Sequence, residues 1–253
     1  MDKAEQKISA LLITFNEEEN INEVLLNLSF ADEIIVVDSF STDRTIEYIK
    51  KHKNVQLICR AFINYTDQKN YALQKASNDW ILFLDADERL TPSLKEEILN
   101  TIEKPHAASA YYFLRTFMFK TKKLKFSGWQ SDKNYRLFRK SMVYFDQERI
   151  VHETLVVDGK SATLKNRLLH YSYKNYDDYK GKMLKYGKMK AIEEAKKGKK
   201  ARWYHFIFRP LYKFLNHYII RLGILDGKKG LVICYLNALG VWARYNELKK
   251  IQN

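Results

Sequence analysis

The residues with the clearest capacity for chemistry are Asp85 and Asp87, in the run Leu84-Asp85-Ala86-Asp87-Glu88. Two carboxylates one residue apart can share a divalent cation, because hard oxygen donors suit Mg²⁺ and Mn²⁺, and such a cation would neutralise a diphosphate. Asp38 closes a second apolar run, Val36-Val37, and is followed by Ser39-Phe40-Ser41-Thr42-Asp43. Its carboxylate could accept a base N–H or a ribose hydroxyl; capping a helix is the plainer role, which Ser41 or Asp43 could equally fill. Lys69, between Asp67 and Asn70, could reach a nucleotide or simply stand at an exposed helix start. His152-Glu153 offers a carboxylate that could act as general base, or a pair that merely decorates a strand. His170 lies in Leu168-Leu169-His170-Tyr171, where a hydrogen-bonded, half-buried histidine is the default and a metal ligand the alternative.

These groups need a frame. Ile8–Ile13, Glu33–Val37, Val55–Ile58 and Trp80–Leu84 are short apolar runs, the mark of strands buried on both faces. Helical segments fall between them. The first is expected from an N-cap at Asn16 with Glu19 at the capping-box position, its apolar stripe running through Ile21, Val24, Leu25 and Leu28. Others are expected after Ser41, over Lys69–Ala76, and from Thr91-Pro92, where proline suits the first turn. This alternation predicts a mostly parallel sheet with helices on both faces. Ligands of such sheets bind beyond the carboxyl ends of the strands, where Thr14, Asn16, Asp38, Asp85 and Asp87 all fall. From about Ala107 the pattern becomes that of a mixed, aromatic-rich sheet: Ala110–Met118, Tyr135–Arg139, Val151–Val157 and Leu164–Tyr173.

Composition narrows the function. Hydrophobic residues make up 46% of the 253, enough for a core. No glycine precedes Gly128, which excludes a glycine-rich dinucleotide or P-loop in the first half. Cys59 and Cys234 have no partners at zinc-ligand spacing, and they fit a reducing cytosol. The first seven residues are polar and Ile8–Phe15 is too short for a signal peptide core, so a cytoplasmic protein is expected. The net charge is +14, and residues 174–253 carry +13 of it. That asymmetry predicts a polyanionic partner, either nucleic acid or an anionic membrane surface. Trp203, Phe206, Ile207, Pro210, Leu211, Phe214, Leu215, Tyr218, Ile219 and Leu222 recur at helical spacing, with His205, Arg209, Lys213, Asn216 and Arg221 mostly between them. A basic amphipathic helix of this kind suits a bilayer interface; the plainer reading packs the stripe inward and leaves the lysines solvated.

Taken together, Ile13-Thr14-Phe15-Asn16-Glu17-Glu18, Val36-Val37-Asp38-Ser39 with Ser41-Thr42-Asp43, Gln68-Lys69-Asn70 and Leu84-Asp85-Ala86-Asp87-Glu88 resemble, in order and spacing, the family 2 glycosyltransferases of the GT-A fold. Gly128-Trp129, Arg136-Leu137-Phe138-Arg139, Val151-His152-Glu153 and His170 resemble the branch containing bacterial lipopolysaccharide core β-glucosyltransferases. The resemblance implies an α/β GT-A catalytic domain over residues 1–173, a Rossmann-like, mostly parallel mixed sheet flanked by helices. Residues 174–253 would form a basic amphipathic helical extension associating with a membrane surface. It implies that Thr14, Asn16 and Glu17 line a nucleotide pocket, that Asp38 binds the base with Lys69 near it, and that Asp85 and Asp87 form a D-x-D pair with Asp87 the nearer metal ligand. His170 would complete a Mn²⁺ or Mg²⁺ site, and Glu153 would activate the acceptor. The base motif departs from the usual Glu-Asp, reading His152-Glu153-Thr154, which favours Glu153 over His152.

The expected reaction is transfer of a hexose from a nucleotide-diphosphate sugar, a UDP-sugar by resemblance, to a lipid-linked glycan such as lipopolysaccharide core. It would proceed with inversion, on the inner face of the cytoplasmic membrane. A nucleotidyltransferase would use similar carboxylates but needs a glycine-rich loop that is missing here. A nucleic-acid-binding protein acting through the basic tail would give the first-half carboxylates no role, so no nucleic-acid partner is expected.

Overall fold

The structure is a computed structural model that describes residues 6–146 and 155–252. Its chain divides into two compact units, one comprising 1–115 and 133–170, the other 116–132 and 171–253.

In the first unit, β1 (Ile8–Thr14), α1 (Ile21–Asn27), β2 (Glu33–Asp38), α2 (Thr45–Lys50), β3 (Val55–Cys59), α3 (Tyr65–Lys75) and β4 (Trp80–Phe83) alternate as expected. After them come β5 (Glu88–Arg89), α4 (Pro92–Ile102) and β6 (Ala110–Phe119), the last passing into the second unit. The two-residue β7 (Lys122–Lys123) pairs with β6 in that second unit. The chain returns through β8 (Lys133–Arg139), β9 (Val143–Phe145), β10 (Leu155–Val157) and β11 (Ser161–Tyr173). The sheet order is β3-β2-β1-β4-β8-β6-β11-β5, with β3, β2, β1 and β4 parallel and β8 antiparallel to β4.

The apolar runs form strands because both of their faces are covered. Ala10 and Leu12 of β1, Ile34 and Val36 of β2, and Trp80 and Leu82 of β4 pack with α1 and α4. The alternate residues Leu11, Ile35, Val37, Ile81 and Phe83 pack with Ala72 and Leu73 of α3. Side chains of a strand point to opposite faces in turn, so a continuous apolar run is what a two-sided core requires.

Two helix starts differ from expectation. Asn16 does not cap α1; it adopts a left-handed backbone (φ 54°) and the helix begins at Ile21. The reason is a competing use of its side chain, whose Oδ1 accepts from the Thr42 N–H at 2.8 Å across the loop after β2. Asparagine tolerates this conformation better than most residues. Lys69 likewise is not at a helix start. Asn64 caps α3, accepting from the Asp67 N–H at 2.8 Å, which places Lys69 in the helix interior. At Thr91 the expectation holds: its hydroxyl accepts from Leu94 N–H and Pro92 opens α4.

The second unit is mainly helical. It contains α5 (Tyr176–Lys196), α6 (His205–Leu215), a π-helical turn over Asn216–Ile220, a 3₁₀ turn over Gly223–Asp226, and α7 (Lys228–Gln252). Glycines let α5 and α7 approach closely: a Cβ on Gly187 would lie 2.5 Å from the Gly240 carbonyl oxygen. The apolar stripe expected at helical spacing through Leu222 runs from α6 directly into the π-helical turn and ends at Leu222, which is left-handed (φ 57°). Among the described residues, no helix is long and apolar enough to cross a membrane.

Candidate active site

The parallel strand order places a crevice at the carboxyl ends of β1 and β4, where the winding of the chain reverses direction. One wall is formed by the loops after β1 and β2. Thr14 and Asp38 are register partners, and the Thr14 hydroxyl donates to Asp38 Oδ2 at 2.9 Å. Ser41 donates to the same carboxylate from its backbone N–H (2.7 Å) and its hydroxyl (2.6 Å). Asp38 is therefore fully buried, and it ties the two loops together. The Asn16 N–H donates to Ser41 Oγ at 2.8 Å and the Glu17 N–H to Thr45 Oγ1 at 2.7 Å. The Glu17 carboxylate accepts from Asn20 Nδ2 at 2.7 Å. These ties between the loops keep Thr14, Asn16 and Glu17 on one wall.

The other wall follows β4. The turn Asp85–Glu88 is closed by the Glu88 N–H donating to the Asp85 carbonyl at 3.0 Å, and the Asp85 N–H returns a bond to Glu88 Oε2. Buried Arg89 braces it from below, donating to the carbonyls of Ala86 (2.6 Å) and Asn20 (2.9 Å). The pairing of β5 with β11 sets His170 opposite Glu88. His170 lies on the inward row of β11 with Leu164 and Leu168, since burial alternates along that strand. Its Nε2 stands 3.3 Å from Asp87 Oδ2. Eighty-three residues of sequence separate the two side chains, and a two-residue strand closes the gap.

Sequence reasoning assigned no role to Arg136, yet it organises this wall. It is almost fully buried on β8, and one guanidinium nitrogen, Nη2, donates both to Asp85 and to Glu88, the latter at 2.7 Å. Glu88 is completely buried, with Arg115 also 3.5 Å away. Burial pushes the Asp85 carboxyl up, but Arg136, Lys69, Arg115 and His170 more than reverse this and hold it well below the usual carboxylate range. Burial likewise opposes the charge of Arg136, and the two carboxylates restore it, raising its pKa. Asp85 is thus a fixed anion whose side chain remains 39% exposed at the crevice. The signal available in the sequence was an arginine beside Leu137 and Phe138 in a strand, since a charge among core residues requires a partner.

Lys69 Nζ sits 5.6 Å from the ring centroids of both Phe83 and Phe145. Its neighbour Asn70 exchanges two hydrogen bonds with the backbone of Phe145. A cavity of about 280 Å³ opens along α3, lined by Arg60, Asn64, Asp67 and Tyr71 among others; neither Asp87 nor His170 lines it. His152 and Glu153 lie outside the described residues.

The Asp87–His170 pair can be tested as a cation site on its own chemistry. It offers one hard oxygen and one imidazole nitrogen at 3.3 Å, the donor types that Mg²⁺ and Mn²⁺ accept. Among the described residues no cluster of three such donors exists. An ion here would take the rest of its coordination from substrate phosphate and water, as Mg²⁺ commonly does. The residues fit such an ion.

The model of the family described as glycosyl transferase family 2 matches residues 9–162, which include Thr14 to Glu17, Asp38, Asp85, Asp87 and Arg136. The chain belongs to glycosyl transferase family 2. Relatives match along nearly the whole chain. The lipopolysaccharide core biosynthesis glycosyltransferase LpsC of Rhizobium meliloti is 27% identical over 94% of this chain and 93% of its own. An uncharacterised glycosyltransferase of Rickettsia prowazekii is 29% identical over 98% of this chain and 87% of its own. Among solved structures, residues 1–349 of Staphylococcus aureus TarS superpose with a TM-score of 0.51 at 17% identity, covering 98% of this chain and 91% of that one. The same TarS fragment has been crystallised in complex with UDP (TM-score 0.50, 16% identity). This family 2 glycosyltransferase therefore has the GT-A fold, as its sheet order independently indicates.

Proposed function

We propose that this family 2 enzyme moves a hexose from a UDP-sugar to a hydroxyl of a lipid-linked glycan, such as lipopolysaccharide core, with inversion at the anomeric carbon. The observation that carries the reading is the convergence of Asp85, Asp87 and His170 at the carboxyl edge of the sheet, opposite the Thr14–Glu17 wall. The UDP complex of TarS supports the choice of carrier, and the likeness to LpsC over nearly its full length supports the acceptor class.

In this reading Thr14, Asn16 and Glu17 line the nucleotide pocket, and Asp38, whose carboxylate also ties the two loops together, binds the base. Lys69 lies near the base, and Asp85 forms the D-x-D pair with Asp87, the nearer metal ligand, with Arg136 keeping Asp85 ionised and oriented. Asp87 and His170 would hold a Mn²⁺ or Mg²⁺ ion, which supplies Lewis-acid stabilisation of the leaving diphosphate. Glu153 is assigned the acceptor proton. The acceptor oxygen bonds to the anomeric carbon as the bond from that carbon to the diphosphate oxygen breaks, and the nucleoside diphosphate leaves with the bonding pair. One displacement turns an α-linked donor into a β-linked product. We expect a β-linkage in the NMR spectrum of the product; a retained α-linkage would rule out single displacement. A lipid-linked acceptor is presented at the inner face of the cytoplasmic membrane, which is where this reading places the enzyme.

Binding can be tested without knowing the acceptor. Melting should be followed with UDP, GDP, CMP and AMP, each with and without Mn²⁺, on the wild type and Asp87→Ala. A ligand at 100 times its Kd stabilises by about 2.7 kcal/mol. The expected result is stabilisation by UDP that requires Mn²⁺ and disappears in Asp87→Ala. Equal stabilisation by all four nucleotides, or by none, would remove the donor assignment.

A further inference from the structure

The second unit carries a surface that transfer chemistry does not use. No residue of α6 is buried, although most of its residues are apolar. Ile207, Phe208, Leu211, Tyr212 and Leu215 are all exposed and recur at helical spacing, so they form one stripe. Beyond it Ile219, Ile220, Ile224 and Leu225 continue as exposed aliphatics, Ile220 at 70% and Leu225 at 64%. Trp203, 73% exposed, precedes the helix. Apolar exposure on this scale marks an interaction site rather than ordinary surface.

The tip over Ile219–Leu225 is built, not loose. Asp226, buried at its end, accepts from the N–H groups of Lys125 and Phe126 and from the Ser127 hydroxyl, each at 2.9 Å. His217 Nδ1 lies 2.9 Å from the Ser127 carbonyl oxygen. Gly223 and Gly230 meet so closely that a Cβ on Gly230 would fall 1.9 Å from the Gly223 oxygen. The fold uses buried polar groups and close backbone contact to hold aliphatic side chains out in solvent.

Charge identifies the occupant. Between Glu194 and Asp226 the chain has eight lysines and arginines and no carboxylate; Lys197 and Lys199 pair with Glu193 and Glu194, and Asp226 itself is buried. A second copy of this chain would bring the same cations against them, which opposes self-association. An anionic bilayer satisfies both features: it takes the aliphatic tip and the aromatic rings of Trp203 and Tyr212 into its interface, and its headgroups meet the cations. An apolar recess of about 350 Å³ beside α6, lined by Pro210, Tyr235, Ala238, Leu239 and Trp242, is compatible with an acyl chain.

We infer that the α6–Leu225 surface docks this enzyme reversibly on anionic lipid bilayers. This deepens the lipid-linked acceptor part of the proposed function, but the binding can be measured with no sugar present.

The full-length chain should be sedimented with vesicles of phosphatidylcholine alone and of phosphatidylcholine mixed with phosphatidylglycerol, at low and high salt. Tight, salt-weakened binding to the mixed vesicles is expected, at least about tenfold weaker to the neutral ones. The exposed double substitution Ile220→Ser/Leu225→Ser should weaken binding to the mixed vesicles by a further factor of at least about ten, since buried aliphatic carbons set much of interfacial affinity. The UDP-dependent melting shift of the double variant should match the wild type, which separates loss of docking from loss of fold or donor site. No vesicle binding at low salt would overturn the proposal. So would anionic binding indifferent to the double substitution, or a dimer by sedimentation equilibrium that the double substitution dissociates.

Discussion

Replacing Arg136 with leucine will cost this enzyme about 3–5 kcal/mol of stability, the usual result of removing one partner from a buried ion pair. Most of that loss belongs to Glu88. Glu88 is completely buried, and without Arg136 it is left with the longer 3.5 Å approach of Arg115. Asp85 contributes less, because its side chain is 39% exposed and water screens what the guanidinium no longer supplies. Chemical denaturation checks this directly. The double variant Glu88→Gln/Arg136→Met should recover a large part of the loss, since removing both charges leaves neither one stranded. If the double variant is as unstable as Arg136→Leu alone, packing on β8 and not charge is what Arg136 provides. The pair also carries a pH dependence of known sign. Asp85 has its folded pKa depressed, so its contribution is fully present above the ordinary carboxylate range. It fades only as the pH falls below that range, toward the depressed value. In Arg136→Leu this acid resistance should shrink, and the acid unfolding midpoint should move to higher pH.

Asp87→Asn should lower the rate of sugar transfer by about 10²–10³, the range seen when one charge-stabilising group is removed from an active site. The amide keeps an oxygen donor of similar shape but no charge to hold a cation under a leaving diphosphate. His170→Gln should be milder, weakening the apparent Mn²⁺ affinity by about 10–100-fold and recovering with added metal. Initial rates as a function of Mn²⁺ concentration distinguish the two. A transfer rate for Asp87→Asn within tenfold of wild type at saturating Mn²⁺ would show that the Asp87–His170 pair does not hold the ion.

The parallel half of the sheet was legible because β1 to β4 are apolar on both faces, a pattern that local sequence states outright. The carboxylates after those strands were legible for the same reason: once the strands are placed, Asp38, Asp85 and Asp87 fall at one edge. Asn16 misled because its residue type suits a helix cap and a left-handed loop equally well, and the choice depended on Thr42, 26 residues away. Arg136 was visible in the run Arg136-Leu137-Phe138-Arg139, with no role attached to it. Its partners lie 48 and 51 positions earlier, brought together by the antiparallel pairing of β8 with β4, which no spacing in the sequence encodes. The end of the helical stripe at Leu222 was hidden for a different reason. The apolar spacing runs on past it, and the chain turns where buried Asp226 and two glycines act on it.

The two-residue pairing of β5 with β11 has a consequence for which changes in chain length this enzyme can absorb. Loop length between distant elements costs little free energy, so residues added in the Glu103–Ala108 connection would leave the crevice intact. One residue added between Leu164 and Leu169 is another matter. Side chains on a strand alternate, so the insertion would present Leu169 where His170 now meets Asp87 and turn the imidazole to the opposite face. A fold that tolerates long detours between Arg89 and Ser161 would lose the Asp87–His170 contact to a single codon placed a few positions later.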